Sequence, residues 1–263
     1  MKKFFFSTLS SVFALSLIFY SCEIEDDGNS PEDNSHSEWP TTTVNSSMPA
    51  GKLTFLAFNL GADKTMTVEE QIAYEPIDKY DATVYGDLYQ WGRITDGHEK
   101  RTSGTTFTQS LTDIPGHGDF ILGNGARGPM NWRYLGNDYL WGATKTPYDP
   151  CPDGFRVPTQ EEWASIYGDE SGNIGEWTGN GYKISTDGGT SYTMFLPAAG
   201  YRHYDYEYSG GLLYDQGVDG SYWSSTAPLK SEGAFLFTFT DRGVAPKDYG
   251  YRALGFSVRC VAD

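Results

Sequence analysis

Three cysteines restrict the fold of this chain more than any other feature. Cys22 ends an apolar N-terminal leader, which leaves Cys151 and Cys260 as the remaining thiols. In an exported protein such a pair is expected to form a disulfide. The bridge would close a loop of about 110 residues, worth on the order of 4–5 kcal/mol in the chain-entropy account. A nucleophilic cysteine would instead need a low-pKa setting beside a histidine. His36, His98, His117 and His203 all lie in polar segments without such a signature. The expected fold therefore ties the start of a helix near Cys151 to the last strand of the chain.

Cys151 opens Cys151-Pro152-Asp153-Gly154-Phe155-Arg156-Val157-Pro158-Thr159-Gln160-Glu161-Glu162-Trp163. Phe155–Val157 reads as a short buried strand, and Thr159 with Glu162 three residues on reads as a capping box. Trp163, Ile166 and Tyr167 are expected to share one helical face, with Gly168 ending the helix. Glu161 and Glu162 are expected to favour the helix dipole rather than act as catalytic acids.

Outside this stretch, 31 Gly and 13 Pro predict many turns and few long helices. Aromatic residues make up 16% of the chain, so the core is expected to be aromatic. Strands are predicted at 53–58, 85–93, 192–201, 222–226, 234–239 and 256–261, with a short helix at 68–74 and a long structured loop over 95–131. This is an α+β pattern of short antiparallel sheets, few helices and long loops. A net charge of −16 excludes nucleic acid as a partner, since phosphate binding needs clustered Lys and Arg.

Lys2 and Lys3 precede an apolar run from Phe4 to Tyr20 that ends at Ser21-Cys22. This organisation is that of a signal peptide, residues 1–21, and the run is marginal in length for a membrane span. A cysteine in the first mature position resembles a lipobox, which predicts lipidation at Cys22 and anchoring to the outer membrane. Residues 23–38 carry seven acidic side chains and no Lys or Arg. Residues 22–50 are read as an acidic, Ser/Thr-rich disordered tether. The acidic stretch Glu23-Ile24-Glu25-Asp26-Asp27 resembles the signal that sends Bacteroidetes lipoproteins to the cell exterior.

Three pieces of 51–263 carry a wider resemblance. They are Tyr85-Gly86-Asp87-Leu88-Tyr89-Gln90-Trp91, the Cys151–Trp163 stretch, and Gly220-Ser221-Tyr222-Trp223-Ser224-Ser225-Thr226 followed by Phe256-Ser257-Val258-Arg259-Cys260. In this order they resemble the Fibrobacter succinogenes major paralogous domain family of surface lipoproteins and secreted proteins. The resemblance implies a variant of the C-type lectin-like fold, related to the formylglycine-generating enzymes, and a cysteine bridge from helix to last strand. It implies no particular activity. Formylglycine-generating chemistry needs a further pair of free cysteines, which this chain lacks.

The site candidates lie late in the chain. Tyr201, His203, Tyr204, Asp205, Tyr206 and Glu207 alternate aromatic and polar side chains. If extended, the run would present Tyr204, Tyr206 and Tyr208 on one side as stacking platforms for a glycan. Its structural alternative is an edge strand whose tyrosines cover the core. Trp223 is a further platform candidate. The i, i+2 spacing of Asp205 and Glu207 permits a glycosidase-like carboxylate pair but discriminates nothing. Calcium, the natural cofactor of a lectin-like fold, has candidate ligands in Asp215, Asp219 and the Asp113–Asp119 loop. The lectin triplets Glu-Pro-Asn and Trp-Asn-Asp are absent. Arg156, Arg242, Arg252 and Arg259 are expected to orient or pair rather than bind ligand. The leading expectation is a non-catalytic surface lipoprotein that binds a glycan or protein, in adhesion or in a pilus. The alternatives are an enzyme or accessory protein of surface polysaccharide processing, and a structural assembly protein.

Overall fold

The N-terminal hairpin and the last strand of the protein share one sheet in the computed structural model, which describes residues 39–123, 130–205 and 210–263. All of these fall within one unit spanning 35–263. β1 (Thr41–Asn45) and β2 (Lys52–Leu56) form a hairpin. β2 then pairs with β16 (Val261–Ala262), and β6 (Phe155–Arg156) completes the sheet. β1 corrects the expectation of a tether running to residue 50. Thr42 and Val44 point inward and Thr41 and Thr43 outward, a two-residue alternation. Threonine is polar by composition, but its branched Cβ suits a half-buried strand.

Four further sheets, all short, follow among the described residues. β3 (Tyr89–Gln90), β10 (Tyr201–Arg202), β11 (Leu213–Tyr214) and β15 (Gly255–Phe256) form one in the order β11-β10-β15-β3. β4 (Thr105–Thr106) and β5 (Phe120–Ile121) make the one parallel pair of strands, within the long loop. β7 (Ile174–Trp177), β8 (Gly181–Ser185) and β9 (Met194–Pro197) form an antiparallel meander. β12 (Gly220–Trp223), β13 (Gly233–Thr240) and β14 (Gly243–Tyr251) form another. Helices are few: α1 (Val68–Ala73), α2 (Ala82–Tyr85) and α3 (Gln160–Ser165).

α3 begins as its sequence requires. The Thr159 hydroxyl accepts from the Glu162 amide, and the Glu162 carboxylate accepts from the Thr159 amide. Glu162 also takes a two-pronged pair from Arg156, at 2.8 and 2.6 Å, which locks the helix start to β6. The helix ends at Ser165, before Gly168, so Tyr167 lies beyond the cap and is exposed while Trp163 and Ile166 are buried. Cys151 and Cys260 are bonded, with Cα atoms 5.9 Å apart, joining the loop before β6 to the approach of β16.

The core is aromatic, and its indoles are tied to backbone. Trp163 Nε1 donates to the Trp223 carbonyl, and Trp223 Nε1 to that of Tyr89. Trp132 Nε1 donates to Trp91, whose own Nε1 reaches Ser224. Each ring fills volume while its one polar atom is satisfied, so the tryptophans staple separate sheets together.

Buried arginines do the same. Arg252 pairs with Asp138 at 2.7 Å and lies over Trp91. Arg259 has no carboxylate partner among the described residues; it donates to Asn59 Oδ1 and to the carbonyls of Leu56 and Phe195. Of the four arginines named from sequence, Arg242 alone is exposed.

Candidate binding cleft

β10 places Tyr201, the first of the sequence-predicted tyrosines. Tyr201 pairs with Tyr214 and Arg202 with Leu213 across β10–β11, and Gly255 faces Arg202 on the other side. The register depends on Gly200 just before it, at φ +65°, where an added Cβ would stand 2.1 Å from the Tyr214 carbonyl oxygen. Arg202 then anchors β10 to the long loop. Its guanidinium donates to the Ser103 hydroxyl and carbonyl and packs over the Phe120 ring at 4.4 Å.

Against this support Tyr201 stacks on Tyr214, ring centroids 5.9 Å apart, and meets Phe256 edge-on at 6.0 Å. Phe256 in turn meets buried Trp223 at 4.7 Å. A continuous chain of rings therefore runs from the core to the surface. Trp223 is its root and not a platform: it is wholly buried and its indole N–H is committed to Tyr89. That corrects its assignment as a ligand contact.

His203 and Tyr204 stack on each other at 5.0 Å, and Tyr204 touches Tyr251. Neighbours stacked in this way do not alternate across a strand, and neither belongs to one. The extended run imagined from 203 onward is thus not formed at 203–205, and Tyr204 and Asp205 are buried rather than displayed. The Asp205 amide donates to His203 Nδ1. Tyr206, Glu207 and Tyr208 lie outside the described residues, as does Cys22.

What the fold assembles instead is a cleft of about 260 Å³ between β10, β12 and the β13–β14 hairpin. Tyr201, His203 and Asp219 come from the sequence-predicted set; Thr238, Asp248 and Tyr249 come from the hairpin. Leu236, Leu254 and Phe256 supply its apolar lining. Asp219 accepts from the Ser221 hydroxyl, and Asp248 from Thr238 at 3.0 Å. Burial, then the nearby charges of Asp215 and Asp248, push the Asp219 carboxyl above its usual range. Burial pushes the His203 imidazole down, which favours its neutral form. The hairpin residues were missed from sequence. The available signal was the alternation of Phe235, Phe237 and Phe239, which marks β13 but says nothing of the polar strand returning beside it.

The metal candidates fare differently. Asp113 is engaged by Arg133 at 2.7 Å, so its loop is held by an ion pair. Asp215 is exposed in a tight turn at φ +57°. Among the described residues, the one group of three acidic or imidazole ligands within 4.8 Å of one another is Asp96, His98 and Glu99. There, His98 Nδ1 meets Asp96 at 2.6 Å and Nε2 accepts from the Gln90 amide. Burial pushes this imidazole down to about 4, so it is neutral with both nitrogens used, and Arg93 takes the other Asp96 oxygen. That triad is a hydrogen-bonded core network with no imidazole lone pair left for an ion.

The chain matches the family model of the Fibrobacter succinogenes major domain over residues 51–262, and it belongs to that family. β1 lies outside the matched span. No curated protein and no solved structure matches the chain. Among the described residues no helix is long and apolar enough to cross a membrane.

Proposed function

We propose that this protein is a lipid-anchored outer-membrane lipoprotein facing the cell exterior, whose single domain binds a glycan without catalysis. Its setting would be adhesion or a pilus-like assembly. The observation that carries the binding reading is the cleft. It pairs aromatic faces and an apolar floor with carboxylates and hydroxyls at its sides, the mixture that recognises a ring with one apolar face and a polar rim. Its volume is below the usual range for drug-sized ligands, about 300–1,000 Å³, and suits one small unit of a larger polymer.

A C-type lectin-like fold is part of the same proposal. It is supported by the pairing of the first strands with the last and by the bridge from Cys151, before α3, to Cys260. The anchor rests on Cys22 and the apolar leader before it.

A glycan and matrix-protein array, probed with the full-length chain in mild detergent, tests the binding reading. Specific binding that is lost on Tyr249→Ala or Tyr201→Ala supports it, and sensitivity to chelator would add calcium. Cleavage of a bound glycan would move the protein to the polysaccharide-processing alternative. Silence on every surface by a folded, disulfide-bonded chain would favour a structural assembly role. Labelling with a radioactive fatty acid, abolished by Cys22→Ser, tests the anchor.

A further inference from the structure

We propose that the sugar unit entering the Tyr201–Tyr249 cleft carries a free, protonated amine, making the cleft a site for a cationic amino sugar. This rests on the glycan-binding reading above and narrows it.

Several buried or half-buried carboxylates elsewhere have cationic partners: Asp87 with Lys100, Asp96 with Arg93, Asp138 with Arg252, and Glu162 with Arg156, each at 2.6–2.7 Å. Asp149 has Lys145 at 3.5 Å. The cleft gathers carboxylates of another kind. Asp219 and Asp248 line it, and Asp215 is close enough to act on both Asp219 and Tyr201. Among the described residues none of the three is ion-paired to Lys or Arg. Burial favours the neutral form of the one imidazole present, His203. Asp215 and Asp248 are exposed, but Asp219 is half-buried with both like charges near it, and a cation joining them relieves that repulsion.

The spacing then selects the kind of cation. These aspartates do not bring three carboxylates within 4.8 Å of one another, so they do not form a shared metal cage. A larger organic cation can reach separate carboxylates. Ser221 and Thr238 already orient two of them, leaving spare acceptor capacity on oxygens held in place. The exposed ring of Tyr249 and the stacked ring of Tyr201 add faces that attract an ammonium group. The apolar floor of Leu236, Leu254 and Phe256 favours a ring over a lysine side chain, whose thin methylene stem would leave it largely uncovered. The chain's net charge of −16 would draw a polycationic polymer toward the surface.

The test is calorimetric titration of the full-length chain in detergent micelles, near physiological salt, with oligo-glucosamine, its fully N-acetylated form and oligo-lysine of matched length. Oligo-glucosamine is expected to bind tighter than the acetylated oligomer by about tenfold or more, the scale of one charge-assisted hydrogen bond. Asp219→Asn and Asp248→Asn should each remove about tenfold of that preference. The distant, exposed Asp153→Asn should leave it unchanged. Tyr249→Ala should weaken both sugars together.

Equal binding of the two sugars would overturn the amine assignment and leave the glycan cleft standing. Tightest binding of oligo-lysine with the same aspartate dependence would overturn the sugar in favour of a basic peptide. An equal loss in Asp153→Asn would reduce the effect to general attraction of polycations and overturn the site. No binding of either sugar by a folded chain would sink both readings.

Discussion

Replacing Arg259 by methionine sets two large effects against each other. The guanidinium is wholly buried and has no carboxylate partner among the described residues, and burial pushes it down to about 10. Removing a buried charge recovers a desolvation penalty of several kcal/mol, an effect that by itself can stabilise a protein. Against this stand its hydrogen bonds. Nε donates to Asn59 Oδ1 at 2.9 Å, Nη1 to the Leu56 carbonyl at 3.2 Å, and Nη2 to the Phe195 carbonyl at 2.9 Å.

None of these acceptors is free to turn away. Leu56 ends β2 and Phe195 sits within β9. Asn59 is held by donating to the Tyr85 carbonyl and the Tyr222 hydroxyl. Each orphaned buried acceptor costs about 1–3 kcal/mol, so three outweigh the recovered desolvation, with a net loss of about 3 kcal/mol. For a domain of this size that lowers Tm by roughly 6–12 °C. Arg259→Lys should also fall, because one ammonium cannot reproduce the planar fork that reaches two sheets and a loop. Thermal unfolding followed by near-UV circular dichroism measures both. If Arg259→Met melts at or above the wild type, the desolvation penalty dominates and the reasoning is wrong.

Reducing the Cys151–Cys260 bridge should remove about 4–5 kcal/mol, read as a lower urea midpoint in the presence of reductant; an unchanged midpoint would show that the β2–β16 and β6–β16 pairings hold the terminus alone. For Glu162, burial alone would raise the carboxyl, but hydrogen bonds from Arg156 and from the Thr159 amide outweigh it and hold it below the usual range. Its stabilisation is therefore fully present at neutral pH and is lost as pH falls below the ordinary glutamate range. Wild type should exceed Glu162→Gln by about 1.5–3 kcal/mol near pH 7. A gap that persists unchanged into strong acid would refute the ion pair as its source. Gly200→Ala places a Cβ 2.1 Å from the Tyr214 carbonyl oxygen in a left-handed backbone; it should cost more than about 1 kcal/mol and weaken cleft ligands through the displaced Tyr201, and normal melting would refute that strain.

How much of this was legible beforehand differs between local and long-range features. The start of α3 was readable because a capping box is a contact between residues three apart, whatever the rest of the chain does. The aromatic core followed from composition, and the Cys151–Cys260 pairing from how few thiols the chain has. β1 was misjudged because three threonines look like a spacer until Val44 finds the core. α3 ends not at Gly168 but at Ser165, where the Ser165 carbonyl accepts from the Ser47 amide and that of Ile166 from the Asn173 side chain.

The cleft belongs to the other category. Tyr201, His203 and Asp219 were singled out by residue type, but so were Trp223, which lies in the core, and Tyr204 and Asp205, which are buried. Nothing in the linear order distinguishes a tyrosine that lines a site from one that fills the interior. That difference is set by which face of a sheet meets which neighbour, through contacts between residues far apart in the chain. The sequence alone determined the family, the redox pairing, the helix caps and the aromatic character of the interior, all of which depend on local chemistry or composition. Tertiary structure alone brought the β13–β14 hairpin against β10 and gathered Asp219 and Asp248 without a basic partner among the described residues. It did so because burying one face of β13 fixes where the polar side of β14 must stand.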